Sequence, residues 1–436
     1  MLSIEAAAAI LPAGLFVILG ALIVLGVPIA FALIGASLIV VALDPRLVPW
    51  ILFQRMYAGM DSFVLLAVPL FLLAGNIINA ARVTDRLIAF ALTLLGRFRG
   101  ALAQVNVFVS ILFGGVSGSS TADAAGVGTV LIPAMRREGY PVPFTVAITA
   151  TSSIIGNVIP PSITMIVWGA ITNTSIGGLF FAGIVPGVLI GLMLMAISAV
   201  LARRYDVPVH PPASARAVLA ASRDGLLALT IPLVVIGGIR FGWFSPTEAA
   251  VVAVLAATAL GFLVYRTLTF AKLIDATSAT ARLAALSLFA LVGASIFGYL
   301  ISFYRIPPLL LGLVSVEDPT LILLFCAAVI LVVGTFMDAL PATAILAPLL
   351  LPLALGAGIH PIHFGIVGIM ALAFGLVTPP YGLCLLIAAK IGGIPMLRAI
   401  GPTLIFLGGM LLVLLACILL PGLVLGLPRL IAPDLI

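Results

Sequence analysis

Charged residues make up only 8% of this 436-residue chain, whereas hydrophobic residues make up 64%. An ordinary soluble domain has about 25% charged residues. So few charges cannot cover the surface of a soluble protein, which excludes a soluble enzyme, a disordered chain and a nucleic-acid binder. The net charge of +6 indicates basic cytoplasmic loops. The composition therefore predicts an all-α polytopic membrane protein with roughly a dozen crossings of about 20 residues.

The N-terminal region predicts membrane spans followed by an interfacial helix. Apolar residues run over positions 10–43, interrupted at Gly26 and Pro28. Residues 50–60 are less apolar, and we expect them to form an amphipathic helix along the membrane surface. A long apolar run follows at residues 63–78.

Two later apolar segments contain residues that interrupt helices. Residues 101–135 hold a Gly/Ser loop at 114–123, which ends in a carboxylate, Asp123. Residues 144–171 hold the sequence GNVIPPS at 156–162. Because proline removes a backbone donor and breaks the helical ladder, non-helical backbone is predicted at membrane depth in both segments. Such backbone is tolerated only when it is buried in protein or lines a wet cavity.

A polar interval at residues 206–225 is predicted to be a surface linker between two halves, residues 1–205 and residues 226–436. The second half repeats the plan of the first. It has a Gly/Asp loop at residues 334–343 and a GLVTPP break at residues 375–380. We therefore expect scaffold helices, an intramembrane hairpin and a broken helix in each half.

A shift of 219 residues superposes the helix-interrupting residues of the two halves. It places Gly115 on Gly334, Pro133 on Pro352, Gly139 on Gly358, Gly156 on Gly375, and Pro160-Pro161 on Pro379-Pro380. Matched interruptions of this kind point to the binding site of a transporter. The turn at residues 135–143 carries Arg136 and Arg137, whereas its counterpart at residues 354–363 has no Lys, Arg, Asp or Glu. The positive-inside rule then puts the two turns on opposite sides of the membrane, which predicts inverted repeats.

The interrupted segments offer groups for both a cation and an anion. Backbone carbonyls at Gly156, Ile159, Gly375 and Thr378 are candidates to coordinate a hard cation such as Na⁺. Half-helix N-termini at the same places present N–H groups and a positive dipole end to an anion.

Several polar residues have two interpretations. Asp123 and Asp338 are costly inside a membrane and are functional by default, but each can also cap a helix N-terminus. Asn157 is either a ligand or a residue that hydrogen-bonds between helices. His360 and His363 lie in a predicted turn and are interpreted as surface residues.

The same segments carry a family resemblance over essentially the whole chain. GGVSGSSTADAAGVGTVLIPAMRREGY at 114–140 resembles the first signature of the large membrane subunit of the tripartite ATP-independent periplasmic (TRAP) transporters. IIGNVIPPSITMIVWGAIT at 154–172 resembles the next block. MDALPATAILAPLLLPLALGAGIHPIHFGIV at 337–367 and FGLVTPPYGL at 374–383 resemble the second half of that subunit.

The resemblance implies a multi-pass subunit of the bacterial inner membrane. It further implies Na⁺ as the coupling ion and an organic acid as the substrate. A periplasmic binding protein would deliver that acid, and a small membrane subunit on a separate chain would be the partner. The implied architecture is of the elevator type, in which hairpins and broken helices slide against a scaffold.

Site residues are carried over from the family motifs. The resemblance assigns the substrate to Ser119, Ser120, Asp123, Asn157, Pro160, Pro161, Ser162, Asp338, Thr343, Pro379 and Pro380. It assigns the first sodium ion to Ser62, Ser117, Ser119, Gly156 and Ile159. It assigns the second sodium ion to Gly334, Asp338, Gly375, Thr378 and Tyr381. One departure is ALAFG at 371–375, where family members commonly have Asn-Leu-Ala-Ile-Gly, so substrate contacts are expected to differ.

Three alternatives are weighed against this interpretation. A stand-alone Na⁺/carboxylate symporter of the divalent-anion type would need no partner protein. An intramembrane hydrolase would need Ser, Asp and His at one depth, but His210, His360 and His363 all lie in predicted loops. A channel would need rings of like charge or a repeated filter, and the sequence has neither.

Overall fold

The computed structural model describes residues 4–205, 207, 213–306 and 318–436, and every regular element in that part is helical. The first-half helices are α1 (Ile4–Val24), α2 (Ile29–Leu43), α3 (Trp50–Met60), α4 (Ala67–Ala80), α5 (Val83–Leu95), α6 (Ala101–Ser117), α7 (Ser120–Arg137), α8 (Val142–Ser153), α9 (Ile163–Thr172) and α10 (Ile176–Ala202). The second-half helices are α11 (Ala215–Arg240), α12 (Pro246–Ala259), α13 (Phe270–Phe303), α14 (Pro319–Gly334), α15 (Ala339–Gly356), α16 (Pro361–Gly375), α17 (Leu383–Gly392), α18 (Ile400–Leu419) and α19 (Gly422–Ile431).

The predicted all-α membrane protein is confirmed. Among the described residues, seven helices are long and apolar enough to cross a membrane. The helix predicted at residues 50–60 is present as α3, with the same bounds. The predicted linker is shorter than expected, because α11 already begins at Ala215, where the Ser214 hydroxyl accepts a hydrogen bond from the Ala217 N–H at 3.2 Å. His210 lies outside the described residues.

Both predicted hairpins and both broken helices are present. Helices α6 and α7 form the first hairpin, and α8 and α9 form the first broken helix, interrupted at residues 154–162. Helices α14 and α15 form the second hairpin, and α16 and α17 form the second broken helix, interrupted at residues 376–382. Each hairpin packs on the broken helix of its own half. Gly139 and Gly358, which the 219-residue shift superposes, both have positive φ, +86° and +74°, in the turn between hairpin and broken helix.

The two ends of the bundle differ sharply in charge. At the first end, the start of α6 meets the end of α10, where Gly100 lies against Ala202. At the opposite end, the Arg240 to Asp434 ion pair at 3.3 Å joins α11 to the C-terminus. Fifteen of the 20 Lys and Arg residues lie at or near the first end. They are Arg82, Arg86, Arg97, Arg99, Arg136, Arg137, Arg203, Arg204, Arg216, Arg223, Arg266, Lys272, Arg282, Lys390 and Arg398. The positive-inside rule makes that end cytoplasmic, with the first hairpin opening towards it and the second hairpin inverted.

A buried carboxylate fastens α2 to α13 at the other end. The Asp44 side chain is fully buried and accepts hydrogen bonds from Arg46 Nε at 2.9 Å and from the Tyr304 hydroxyl at 2.9 Å. The Arg46 guanidinium also lies 5.3 Å from the Phe303 ring centroid. The hydrogen bonds from Arg46, assisted by Tyr304, lower the pKa of Asp44 from 3.8 to about 2.

Asp44→Asn is expected to lower the free energy of unfolding at neutral pH by about 2 kcal/mol, because the folded state favours the ionised carboxylate. This contribution is fully present above the unfolded pKa of 3.8. It is lost as the pH falls towards 2, so the two proteins should converge there. Thermal unfolding in detergent at several pH values measures the difference. Asp275→Asn, at an exposed position on α13, is the control, and an equal loss in both variants would contradict the prediction.

Candidate functional site

The tip of the first hairpin is held against the first break by backbone contacts. Gly118 ends α6 with a φ of +63°, and its carbonyl accepts a hydrogen bond from the Ile163 N–H at 3.2 Å. A Cβ atom at Gly118 would lie 2.7 Å from the Pro161 carbonyl oxygen. Only glycine fits this position, because the backbone is left-handed and the break presses directly against it.

Glycines let each hairpin touch the backbone of its broken helix. A Cβ atom at Gly114 would lie 2.8 Å from Gly156 Cα, and a Cβ atom at Gly375 would lie 2.7 Å from Gly334 Cα. In the second half the Gly382 N–H donates to the Thr335 carbonyl at 3.3 Å. The 219-residue shift superposes Gly382 on Ile163, the donor of the equivalent bond in the first half. The acceptors differ, since the shift places Gly118 on Met337, two residues after Thr335, so the repeat encodes a similar but not identical hairpin-to-break contact in each half.

Side-chain caps hold the first tip in shape. Ser119 and Ser162 cap the N-termini of α7 and α9. The Asn157 Oδ1 atom accepts from the Ser120 N–H at 3.2 Å, and the Ser162 hydroxyl donates to the Asn157 carbonyl at 2.7 Å. Asn157 thus joins the break to the hairpin tip. Its side-chain amide nitrogen is buried and has no hydrogen-bond partner among the described residues.

Both hairpin tips face one cavity of about 620 Å³. Ser119 and Asp338 both line it. Ser119 is the N-cap residue of α7 in the first half, and Asp338 is the N-cap residue of α15 in the second half. Helices α4, α5 and α13 form the opposite wall, which we call the scaffold wall. The polar residues Asn76, Asn79, Thr121, Asn157, Thr164 and Ser287 add hydrogen-bonding groups. The cavity is therefore enclosed between the hairpin tips and the scaffold.

Three helix N-termini converge on this cavity. The first residues of α7, α9 and α15 line it through Thr121, Thr164 and Ala339. The first N–H groups of a helix have no partner within that helix and carry its positive dipole end, so the wall favours an anion. Arg82 and Asp85, both exposed, line the cavity near the cytoplasmic end of α4. The cavity thus opens towards the cytoplasm.

Five predicted site residues come together at the cavity wall. They are Ser117, Ser119, Ser120, Asn157 and Asp338. The Ser117 hydroxyl is buried and has no hydrogen-bond partner among the described residues. Gly156 packs against the Ser119 backbone, so one hydroxyl and several backbone oxygens lie close together. Uncharged oxygen atoms suit a hard cation as ligands. One of those present here is a hydroxyl without a hydrogen-bond partner among the described residues.

Asp123 and Thr343, both predicted as substrate contacts, lie away from the cavity wall. Both side chains are buried and neither lines the cavity. Asp123 lies on the face of α7 that packs on α6 and α8. The Ser110 hydroxyl of α6 lies beside the Asp123 side chain. That hydroxyl, however, donates its hydrogen bond to Ser152 at 3.0 Å. The Asp123 carboxylate has no hydrogen-bond partner of standard geometry among the described residues. Asp123 therefore contributes to the interior of the first half, away from the cavity.

The Pro-Pro residues also lie away from the cavity wall. Pro160, Pro161 and Ser162 are buried between the first hairpin and α9. In the second half, Pro380 and Tyr381 are exposed, and Pro379 is half-buried. None of these six residues lines the cavity, neither the five predicted substrate contacts nor Tyr381, which was predicted as a sodium ligand. They shape the breaks.

The remaining predicted sodium ligands lie in different parts of the structure. Gly334, Gly375 and Thr378 cluster where the second hairpin meets its break, and the Thr378 hydroxyl donates to the Phe374 carbonyl at 2.7 Å. Ile159 lies within the first break, beside Gly115. Ser62 does not join the first site. Ser117 packs on Gly75 of α4, which lies 13 residues after Ser62, or about 20 Å along a helix.

The scaffold wall of the cavity was not predicted from the sequence. Asn76, Asn79, Arg82 and Ser287 all line it. Two asparagines near the end of the apolar run at 63–78 were a usable signal, because amides inside a span face protein or water. His363 was also misassigned as a surface residue, since it is buried and its Nε2 atom lies 2.9 Å from the Cys417 carbonyl.

An all-helical membrane bundle with paired hairpins, paired broken helices and a cavity at their tips is the architecture of a secondary transporter. The fold is similar to that of the YdaH transporter of Alcanivorax borkumensis, with a TM-score of 0.59 and 17% sequence identity over 89% of this chain and 95% of that one. The family model "Tripartite ATP-independent periplasmic transporter, DctM component" matches residues 16–423. The chain belongs to this family.

Relatives support the same assignment. The sialic acid TRAP transporter large permease protein SiaM of Vibrio cholerae is 38% identical over 85% of this chain and 87% of that protein. The C4-dicarboxylate TRAP transporter large permease protein DctM of Pseudomonas aeruginosa is 36% identical over 86% and 88%. The 2,3-diketo-L-gulonate TRAP transporter large permease protein YiaN of Escherichia coli is 38% identical over 83% and 85%. The chain is thus a large permease subunit of the inner membrane and not an enzyme.

Proposed function

We propose that this chain is the large permease of a Na⁺-coupled transporter that imports an organic acid by an elevator movement. A small membrane subunit accompanies it, and a periplasmic binding protein delivers the acid. The observation that carries the proposal is the cavity at the two hairpin tips, which is lined by the first turns of three helices. All three named relatives carry carboxylic acids, which fits an anion site built from backbone dipoles and hydroxyl groups.

Sodium would bind where each hairpin meets its break. In the first half, the buried Ser117 hydroxyl and the backbone around Ser119 and Gly156 are the donors. In the second half, Asp338 and the backbone of Gly334 and Gly375 are the donors. Both clusters belong to the hairpins and broken helices, so ion binding would lock the tips in the shape that holds the acid.

Reconstitution tests the proposal. Proteoliposomes would contain this chain, its small-subunit partner and the cognate binding protein. We would measure uptake of labelled N-acetylneuraminate, 2,3-diketogulonate and succinate with and without an inward Na⁺ gradient. Uptake of one acid only with both Na⁺ and the binding protein is expected. Na⁺-driven uptake by this chain alone would instead favour the stand-alone symporter, and uptake that ignores the Na⁺ gradient would contradict sodium coupling.

A further inference from the structure

A second cavity of about 590 Å³ lies at the periplasmic end of the seam between scaffold and hairpins. We call it the periplasmic crevice. Its scaffold wall comprises Arg55 and Gly59 of α3 and Ser295, Tyr299 and Ser302 of α13. Its other wall includes Ala344 and Pro348 of α15. It is close in volume to the cytoplasm-facing cavity, at about 620 Å³, so the two can hold molecules of similar size.

The same two helices border both cavities. On α13, Leu283 and Ser287 line the cytoplasmic cavity, and Ser295 and Ser302 continue along the same face into the crevice. Ser287 and Ser295 are about 12 Å apart along the helix. On α15, Asp338 and Leu340 line the cytoplasmic cavity, whereas Ala344 and Pro348 line the crevice. The contact between α13 and α15 is therefore the barrier between the two compartments.

Small side chains allow sliding along this barrier. Ala294, Gly298 and Ala344 border the crevice, and a Cβ atom at Gly298 would meet nothing within 4 Å. Small residues let helix backbones approach each other closely. A shift of the hairpin by about 12 Å towards the periplasm would bring Asp338 from Ser287 to the level of Ser295.

Arg55 is the only charged residue that lines the crevice within the described residues. Its guanidinium lies 4.4 Å from the Tyr299 ring centroid, and no ion pair of Arg55 is found among the described residues. A guanidinium stacked on a ring keeps its in-plane N–H donors free for a carboxylate. The hydroxyls of Ser295 and Ser302 lie on the neighbouring wall. The crevice therefore combines one positive charge and two serine hydroxyls with a mostly apolar lining, and no carboxylate is among its described lining residues.

We propose that the periplasmic crevice is the scaffold half of the outward-facing substrate site and that Arg55 binds the carboxylate of the incoming acid there. This inference rests on the proposed function. The hairpin tips present the same cation-binding and anion-binding groups in the inward-facing and the outward-facing position. The scaffold wall changes from α4 and Ser287 on the cytoplasmic side to Arg55, Ser295 and Ser302 on the periplasmic side.

Arg55→Gln in the reconstituted complex tests the inference. The KM for external acid, measured with the acid of the panel above that gives the largest uptake, should rise about 10-fold, as expected for loss of a charged hydrogen bond. The KM for internal acid, measured as efflux under a reversed Na⁺ gradient, should stay within twofold. Arg240→Gln is the matched control at the same end of the bundle, and both values should stay unchanged in it. Equal changes on both sides in Arg55→Gln, or none, would overturn the inference.

Cysteine protection gives a second readout that does not depend on Arg55. All three native cysteines are buried, so Ser302→Cys would provide a site for a membrane-impermeant maleimide. Na⁺ and the acid together should slow its labelling from outside at least threefold. Unchanged labelling would overturn the inference, whereas a wild-type complex without Na⁺-driven uptake would instead disprove the proposed function.

Discussion

Replacing Gly375 with alanine should abolish Na⁺-driven uptake and lower the stability of the protein. Alanine normally stabilises a helix relative to glycine by up to about 1 kcal/mol. Here a Cβ atom would lie 2.5 Å from the Gly334 carbonyl carbon and 2.7 Å from the Leu331 carbonyl oxygen. Backbone atoms cannot rotate away, so α16 must separate from the second hairpin. Overpacking of this kind costs about 1–3 kcal/mol or more, and the tip would lose its shape.

The comparison with Gly356→Ala separates this effect from helix propensity. Gly356 ends α15, and a Cβ atom there would meet nothing within 4 Å. That variant should fold and transport like the parent protein. Uptake in proteoliposomes and thermal unfolding in detergent measure both variants. If Gly375→Ala transports at more than a tenth of the parent rate, the close backbone contact is not required for the cycle.

Asp338→Asn should weaken Na⁺ activation strongly while leaving the fold intact. Asp338 begins α15, makes no side-chain capping bond and lines the cavity at the second hairpin tip. Asparagine has nearly the same size and also tolerates the N-cap position, so the loss is that of the charge. A bond to a charged group contributes about 1.5–3 kcal/mol. The Na⁺ concentration for half-maximal uptake should therefore rise about 10-fold or more.

Asp318→Asn is the matched control for this prediction. Asp318 also begins a hairpin helix, but it is exposed at the periplasmic end and caps α14 through the Thr320 N–H at 2.7 Å. Na⁺ titrations of uptake should leave this variant unchanged. An unchanged Na⁺ requirement in Asp338→Asn would remove Asp338 from the sodium site. A loss of folded protein in that variant would contradict the expectation that Asp338 acts through its charge.

The sequence by itself determined the class of protein and its plan. A charged fraction of 8% requires a membrane environment, since a soluble surface cannot be built from it. Proline pairs at 160–161 and 379–380 require broken helices, and matched glycines require close contacts, because these are local properties of the backbone. The opposite membrane orientation of the two halves was predicted from Arg136 and Arg137, and the distribution of the other Lys and Arg residues agrees with it.

Only the tertiary structure decided which side chains face the cavity. Ala122 and Asp123 are neighbours on α7, yet Ala122 lines the cavity and Asp123 is buried against other helices. Successive helical residues differ by about 100° in direction, so the packing partner of each face determines the exposure of its side chains. The scaffold wall at Asn79 and Ser287, and the crevice at Arg55, arise from helices far apart in sequence. Their meeting depends on how the two halves pack, which no local pattern records.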